Sequence, residues 1–449
     1  MRPLLSPRAR TTTLTLAFIA AVALLSLFFY GGLSANPGSR VLGVLALVEN
    51  HGFRADEWRD ITIDRAIVNG HFYSDKAPLS SFLVAPFFFV WRAIVRRPLA
   101  NADIDAAVYI GDLVAAAIPF AAFVALLRSR AAKWVGNGEA VWIALLAAFG
   151  TSAFPYSGMY MGHVLAGALF VFAYHFATSD PERRAYACGL LAGLTVLAEY
   201  PMAFSAAILG GYLALRSPKL AVRYVIGGLP CAVAMFAYNA AITGSPFDPP
   251  YRYGGGQFRA PWGRAFGLDA QALHAARMLL FSESRGLFVY APALLLLVPL
   301  ALARAGGGAR RWLFVTLACV QLTFVASFFL WDGGWAIGPR HLVPLMMLLV
   351  YEGVGAVART PRAQPLFAGL AAAGVALNLL ATATNPFVEG FAHPFGDLYR
   401  PAFARGEITP TNAFALVGIH AGRACVFAWC ALFVAIGATF ARVPFRRAR

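Results

Sequence analysis

The chain has 449 residues, 59% hydrophobic and 13% charged, with a mean hydropathy of +0.65. That composition excludes a water-soluble globule and describes a protein that crosses a membrane several times. The net charge of +16 is of the kind that topology-setting Lys and Arg produce, so no nucleic-acid partner is expected.

Arg2, Arg8 and Arg10 precede an apolar run over about 11–33. The run is too long for a signal-peptide core and reads as a retained first helix. A polar segment over 34–78 follows, interrupted by the apolar run Val41–Val48. It carries Glu49, Asp56, Glu57, Asp60, Asp64 and Asp75. It ends in Asn69-Gly70-His71-Phe72-Tyr73-Ser74-Asp75-Lys76-Ala77-Pro78-Leu79, where ionisable groups crowd the start of the next apolar stretch, 79–95. Further apolar runs lie at 104–127, 138–155, 162–178, 185–198, 202–215, 220–242, 286–303, 312–330, 341–358, 366–385 and 413–440. The expected fold is an all-α polytopic membrane domain spanning 1–449, with about 12 transmembrane helices.

Whether 79–95 spans or lies along the surface decides the orientation of every later loop. If it lies along the surface as a juxtamembrane helix, the loops assigned to the cytoplasm carry the whole net charge of +16 and the rest of the chain is neutral. If it spans, the basic tail is exported and most bases lie outside. The positive-inside rule favours the first arrangement. Both termini are then cytoplasmic in an inner (plasma) membrane, and 34–103, 243–285 and 386–412 are exoplasmic loops.

No Gly-rich loop with a following Lys-Ser/Thr is present, since Gly254-Gly255-Gly256 lacks it. An exoplasmic site therefore draws on an ion gradient or on a substrate already in the membrane. Asp64, Asp75 and Glu49 are candidates for the carboxylate that activates an acceptor hydroxyl. Asp56, Glu57 and Asp60 read as a solvated patch beside Arg54 and Arg59. Lys76, Arg285 and Arg340 are cations suited to a phosphate, Arg285 and Arg340 standing just before helices in Ser282-Glu283-Ser284-Arg285-Gly286 and Gly338-Pro339-Arg340-His341. His71, Tyr73, Tyr160, His163, Glu199, Trp331, Trp335 and His341 are candidate substrate contacts. Each has a plainer reading as an interfacial aromatic or a satisfied core polar group. Cys188, Cys231, Cys319, Cys425 and Cys430 all fall in apolar runs and read as small packing residues.

Asp75-Lys76-Ala77-Pro78-Leu79, Ala198-Glu199-Tyr200-Pro201 and Gly338-Pro339-Arg340 together resemble motifs of the GT-C superfamily of membrane glycosyltransferases. The style is nearest the family 39 protein mannosyltransferases, the lipid A aminoarabinose transferases and the rhizobial galacturonosyltransferases. Ala77 stands where the family has a first Pro. Asn36-Pro37-Gly38-Ser39-Arg40 stands where it has an acid after helix 1. The resemblance implies an inverting glycosyltransferase with a polyprenyl-phosphate-linked sugar as donor, its phosphate at Lys76, Arg285 and Arg340. It implies a lipid, glycan or protein acceptor. No cofactor is assigned; a divalent metal on the loop carboxylates with His71 or His163 stays an alternative. A lipid-linked-sugar transporter or flippase is the main rival, disfavoured because Asp112, Glu199, Glu352 and Arg423 are the few ionisable groups near the spans. An O-antigen ligase-type enzyme and a catalytically inactive member of the same fold are the others.

Overall fold

The computed structural model describes residues 7–255, 272–304, 308–388, 392–443 and 445. Gly256, the middle of the 243–285 loop, residues 389–391 of the 386–412 loop and the terminal Arg2, Arg446, Arg447 and Arg449 lie outside the described residues. Among the described residues seven helices are long and apolar enough to cross a membrane: Asn101–Ala131, Gly162–Ser179, Pro218–Thr243, Ala309–Ser327, Arg340–Ala358, Pro361–Thr384 and Ala424–Arg442. Thr11–Ser26, Leu79–Val95, Asn137–Phe149, Ala272–Phe281 and Leu294–Arg304 are shorter apolar helices beside them. The all-α, multi-pass membrane architecture expected from composition is what forms.

Several boundaries differ from the expectation for local reasons. The run 138–155 breaks at Gly150, where the helix Asn137–Phe149 stops and a Cβ would press on the Leu146 and Ala371 carbonyls. The run 286–303 divides into Leu287–Tyr290 and Leu294–Arg304 around Pro292, which cannot donate to a helical bond. The stretch 413–440 is continuous helix only from Ala424. The larger difference lies in 34–78, expected as loop, where Ala35–Glu49 is a helix. Its Pro37 sits in the first turn, where a missing N–H costs nothing, and most of its first eleven residues are buried.

The helix Val343–Ala358 runs through the middle of the bundle and is buried along its whole length. At its end, Glu352 accepts from Arg130 (2.6 Å) and Arg310 (2.7 Å), and Arg130 also donates to the Tyr351 hydroxyl (3.0 Å), which meets His175 Nδ1 at 2.6 Å. These contacts tie four helices at the pole of the bundle away from Arg340.

Helices Pro181–Ala198 and Pro218–Thr243 meet backbone to backbone. A Cβ at Gly189 would overlap the Tyr224 carbonyl, and one at Gly227 the Tyr186 carbonyl. Small residues permit such approach where lipid supplies no hydrophobic drive between helices. Gly189→Val is expected to lower stability by about 1–3 kcal/mol or more through overpacking, read as a lower melting temperature in detergent.

The two described strands, Ala66–Val68 and His71–Tyr73, form an antiparallel hairpin. Asn69 (φ 51°) and Gly70 (φ 83°) close it; an Asn-Gly pair is the usual sequence for such a turn because both central residues need positive φ. The hairpin returns the chain to Asp75 and Lys76 at the threshold of helix Leu79–Val95.

Candidate active site

Four pieces of chain, joined by the start of helix Gly162–Ser179 and by Tyr251, converge at one pole of the bundle. The first is the start of helix Ala35–Glu49. Ser39 and Arg40 are buried there, Arg40 being 1% exposed. The second is the hairpin exit, which brings Asp64, Asp75 and Lys76 together. The third is the junction of helix Pro181–Ala198 with the Tyr200–Met202 turn, where Glu199 leaves the helix in extended conformation (φ −148°, ψ 113°). The fourth is the approach to helix Val343–Ala358, which carries Arg340 and His341.

Lys76 Nζ donates to Asp64 Oδ2 (3.0 Å) and Asp75 Oδ2 (2.9 Å) and lies 5.5 Å from the Tyr251 ring centroid. Burial works against its charge, but Asp75 and Asp64 more than offset it and hold the ammonium well above its ordinary value. Burial likewise opposes the charge of Asp64, yet Lys76 and Arg340 keep its carboxyl below the usual carboxylate range. Ser39 Oγ donates to Asp75 Oδ1 at 2.6 Å. Burial pushes the Tyr251 phenol up to about 12, with Lys76 pulling the other way.

Arg40 donates through one NH2 group to Glu199 Oε1 (2.9 Å) and through the other to Asn36. His163 Nδ1 lies 3.5 Å from the same Glu199 oxygen, and its ring meets that of His341 edge to face at 5.4 Å. Gly162 makes the pairing sterically feasible: a Cβ there would collide with Glu199 Oε1 and Arg40. Arg40 Nε, His163 Nε2, Arg340 Nε and His341 Nε2 are buried and have no hydrogen-bond partner among the described residues. Buried nitrogens in that state are costly unless a ligand or water satisfies them.

Arg340 arrives on a loop that is stapled from behind. Arg285 donates to the carbonyls of Ala336 (2.7 Å), Gly334 (2.7 Å), Ser284 (3.2 Å) and Val388 (3.4 Å). Tyr156 OH donates to the Ile337 carbonyl (2.8 Å) and accepts from the Ile337 N–H (2.9 Å). Gly333 (φ 76°) lets the Arg340 stem lie against the loop backbone. Arg285→Lys is expected to loosen this loop, because a point charge cannot reproduce the planar fork. Faster limited proteolysis near residue 335 and a stability loss of about 1–3 kcal/mol for carbonyls left unpaired would show it.

The structure thus brings Asp64, Asp75, Lys76, His163, Glu199, Arg340 and His341 into one chamber. It puts the other candidates elsewhere. Glu49 pairs with Arg92 (2.6 Å), roughly 14 Å further along its helix than Arg40. His71 pairs with Asp56 (2.7 Å) on the open face of the hairpin. The Tyr73 side chain packs with Val68 and Tyr238, and Tyr160 wedges against Gly111 while donating to the Ser80 carbonyl (3.0 Å). Trp331 packs at the edge of the core and Trp335 is 58% exposed. Asn36, Ser39, Arg40 and Tyr251 join the chamber without having been singled out in the sequence. Among the described residues no group of three His, Cys, Asp or Glu is arranged to hold a metal ion.

An apolar groove of about 320 Å³ opens between helices Ala35–Glu49 and Leu79–Val95, lined by Leu47, Val48, His51, Phe82, Ala85, Pro86 and Phe89. A smaller void continues it past Leu47 and Phe82 to Ser74 and Pro78, beside Asp75 and Lys76.

No protein-family model matches the chain, and no curated protein matches it. Its fold is similar to that of ArnT from Cupriavidus metallidurans bound to undecaprenyl phosphate, with a TM-score of 0.54 and 14% identity over 96% of this chain and 76% of that one. The same protein in its apo state gives a TM-score of 0.50 and 15% identity over 97% and 76%. At 14–15% identity the likeness is one of fold, and it extends over nearly the whole of this chain.

Proposed function

We propose that the chain transfers a sugar from a polyprenyl-phosphate donor to a hydroxyl of a lipid, glycan or protein acceptor at the exoplasmic face. One observation carries the reading. Three cations, Arg40, Lys76 and Arg340, gather where buried nitrogens have no partner among the described residues, and an apolar groove leads from the surface toward Ser74 and Pro78 beside them. A head that is anionic with a tail that is hydrocarbon matches that combination. The neighbour whose fold this chain shares is itself a structure with undecaprenyl phosphate bound.

In this reading the donor phosphate lies against Lys76 and Arg340 while the tail occupies the groove. Charge grows on the phosphate oxygen as the anomeric C–O bond breaks. Cations already in place, in a site poor in water, stabilise that charge without reorganising. Asp64 and Asp75 hold the Lys76 ammonium in position. Attack from the face opposite the phosphate inverts the anomeric centre.

The test is transfer of labelled sugar from a polyprenyl-phosphate donor by the protein in lipid nanodiscs. Arg340→Met is expected to lower kcat by about 10²–10³-fold, the range for one oxyanion-type donor. Gradient-driven flux of the donor without transfer would replace this reading with that of a flippase. Sidedness has its own check: cysteines placed at Gly70 and Trp335 are expected to react with an impermeant maleimide from outside intact cells.

A further inference from the structure

We infer that Glu199 is the base that takes the acceptor hydroxyl's proton, with Arg40 and His163 as the residues that position it. This rests on the transferase reading above and assigns a role that reading leaves open.

Three carboxylates border the chamber, and their oxygens differ in what is left to do chemistry. Asp75 has both oxygens engaged, one by Ser39 (2.6 Å) and one by Lys76 (2.9 Å), and its side chain is 7% exposed. Asp64 has one oxygen on Lys76 (3.0 Å) and the other without a hydrogen-bond partner among the described residues, but its side chain is only 13% exposed. The cations around it depress its affinity for a proton. Glu199 accepts from Arg40 (2.9 Å) on one oxygen, Oε1, and His163 Nδ1 lies 3.5 Å from that same oxygen. Its Oε2 has no hydrogen-bond partner among the described residues, and its side chain, 21% exposed, is the most open of the three.

A base needs an accessible lone pair, a fixed direction and an affinity for the proton near the working pH. Glu199 meets each. The two contacts on Oε1 fix the carboxylate plane and so aim Oε2. The backbone holds the residue extended at the helix end, and Gly162 leaves the space beneath it. Burial raises its proton affinity, and Arg40, Lys76 and Arg340 only partly offset that. The charged and titratable groups facing it are Arg40, His163, Lys76, Asp75 and Arg340, with the Tyr200 and Tyr251 phenols.

In the step, the acceptor O–H proton passes to Glu199 Oε2. The acceptor oxygen forms its bond to the anomeric carbon, and the bond from that carbon to the donor phosphate oxygen breaks. The electron pair leaves with the phosphate beside Lys76 and Arg340. Glu199 then returns its proton to water.

The experiment compares wild type and Glu199→Gln in nanodiscs with a polyprenyl-phosphate sugar. It uses two acceptors, an aliphatic alcohol and a nitrophenol already ionised at the assay pH. Gln keeps the shape and can still accept from Arg40. The expected result is unchanged donor Kd, a fall in kcat of about 10²–10⁴-fold with the alcohol, loss of the acidic limb of the kcat profile, and a near-normal rate with the nitrophenol. Wild-type kcat with the alcohol would overturn the assignment. So would an equal loss with both acceptors, or loss of donor binding, which would place Glu199 in the donor site. Failure of the wild type to transfer to either acceptor would remove the transferase reading itself.

Discussion

Lys76→Met is expected to abolish measurable transfer and to destabilise the protein at once. Lys76 is the centre of a buried triad with Asp64 and Asp75. Its removal leaves two carboxylates facing each other with little water to screen them. Breaking a buried pair on one side costs about 3–5 kcal/mol, and in the proposed reaction losing a cation at the departing phosphate costs a further factor of about 10³ in kcat. The pH dependence gives a signature. Lys76 has a raised affinity for its proton in the fold, so its contribution is full below about pH 10 and is lost as pH rises through the raised value. Asp64 is depressed, so its contribution is present above about pH 4 and is lost as pH falls through the lowered value. The triad's share of the wild-type melting temperature is therefore expected to fall in acid, as Asp64 takes up its proton. In Lys76→Met the acidic fall shrinks, since Asp64 no longer has its principal counter-charge. A scan of melting temperature against pH for the two proteins checks both statements; a variant that keeps the wild-type acid limb would contradict the triad's role.

Glu352→Ala is expected to be the most damaging single change away from the chamber. The carboxylate answers Arg130 at 2.6 Å and Arg310 at 2.7 Å with only 8% of its side chain exposed. Without it two guanidinium groups remain in a confined space with no counter-charge, a loss of about 3–5 kcal/mol. The control is the triple replacement of Glu352, Arg130 and Arg310 by apolar residues of similar volume. Buried ion clusters exchanged whole for hydrocarbon are often neutral or better, so the triple variant is expected to recover most of the melting temperature that the single variant loses. A single variant as stable as wild type would show that the cluster is solvated.

Periodicity and charge made the all-α membrane architecture legible, because a span needs a continuous apolar run and a run of that length has few other uses. The motif Asp75-Lys76-Ala77-Pro78 was legible because ionisable residues beside a helix start are rare in such a chain. Arg40 was not. It lies in Asn36-Pro37-Gly38-Ser39-Arg40, a string of weak helix formers that reads as loop. Only burial against the rest of the bundle makes it a helix and turns the arginine inward. Glu49 misled for the converse reason: its position after an apolar run is correct for a helix end, but Arg92 from helix Leu79–Val95 claims it there. Arg285 looked like a free cation in Ser282-Glu283-Ser284-Arg285; its carbonyl partners come from residues 284, 334, 336 and 388, and contacts that distant in sequence leave no local trace.

The groove between helices Ala35–Glu49 and Leu79–Val95 is apolar and open at the surface. A substrate loaded by that door, as proposed, travels in two dimensions and never partitions into water. The quantity that sets half-saturation is then its mole fraction in the surrounding leaflet. Diluting the same amount of donor into more lipid, at fixed bulk concentration, should slow the protein as if donor had been withdrawn.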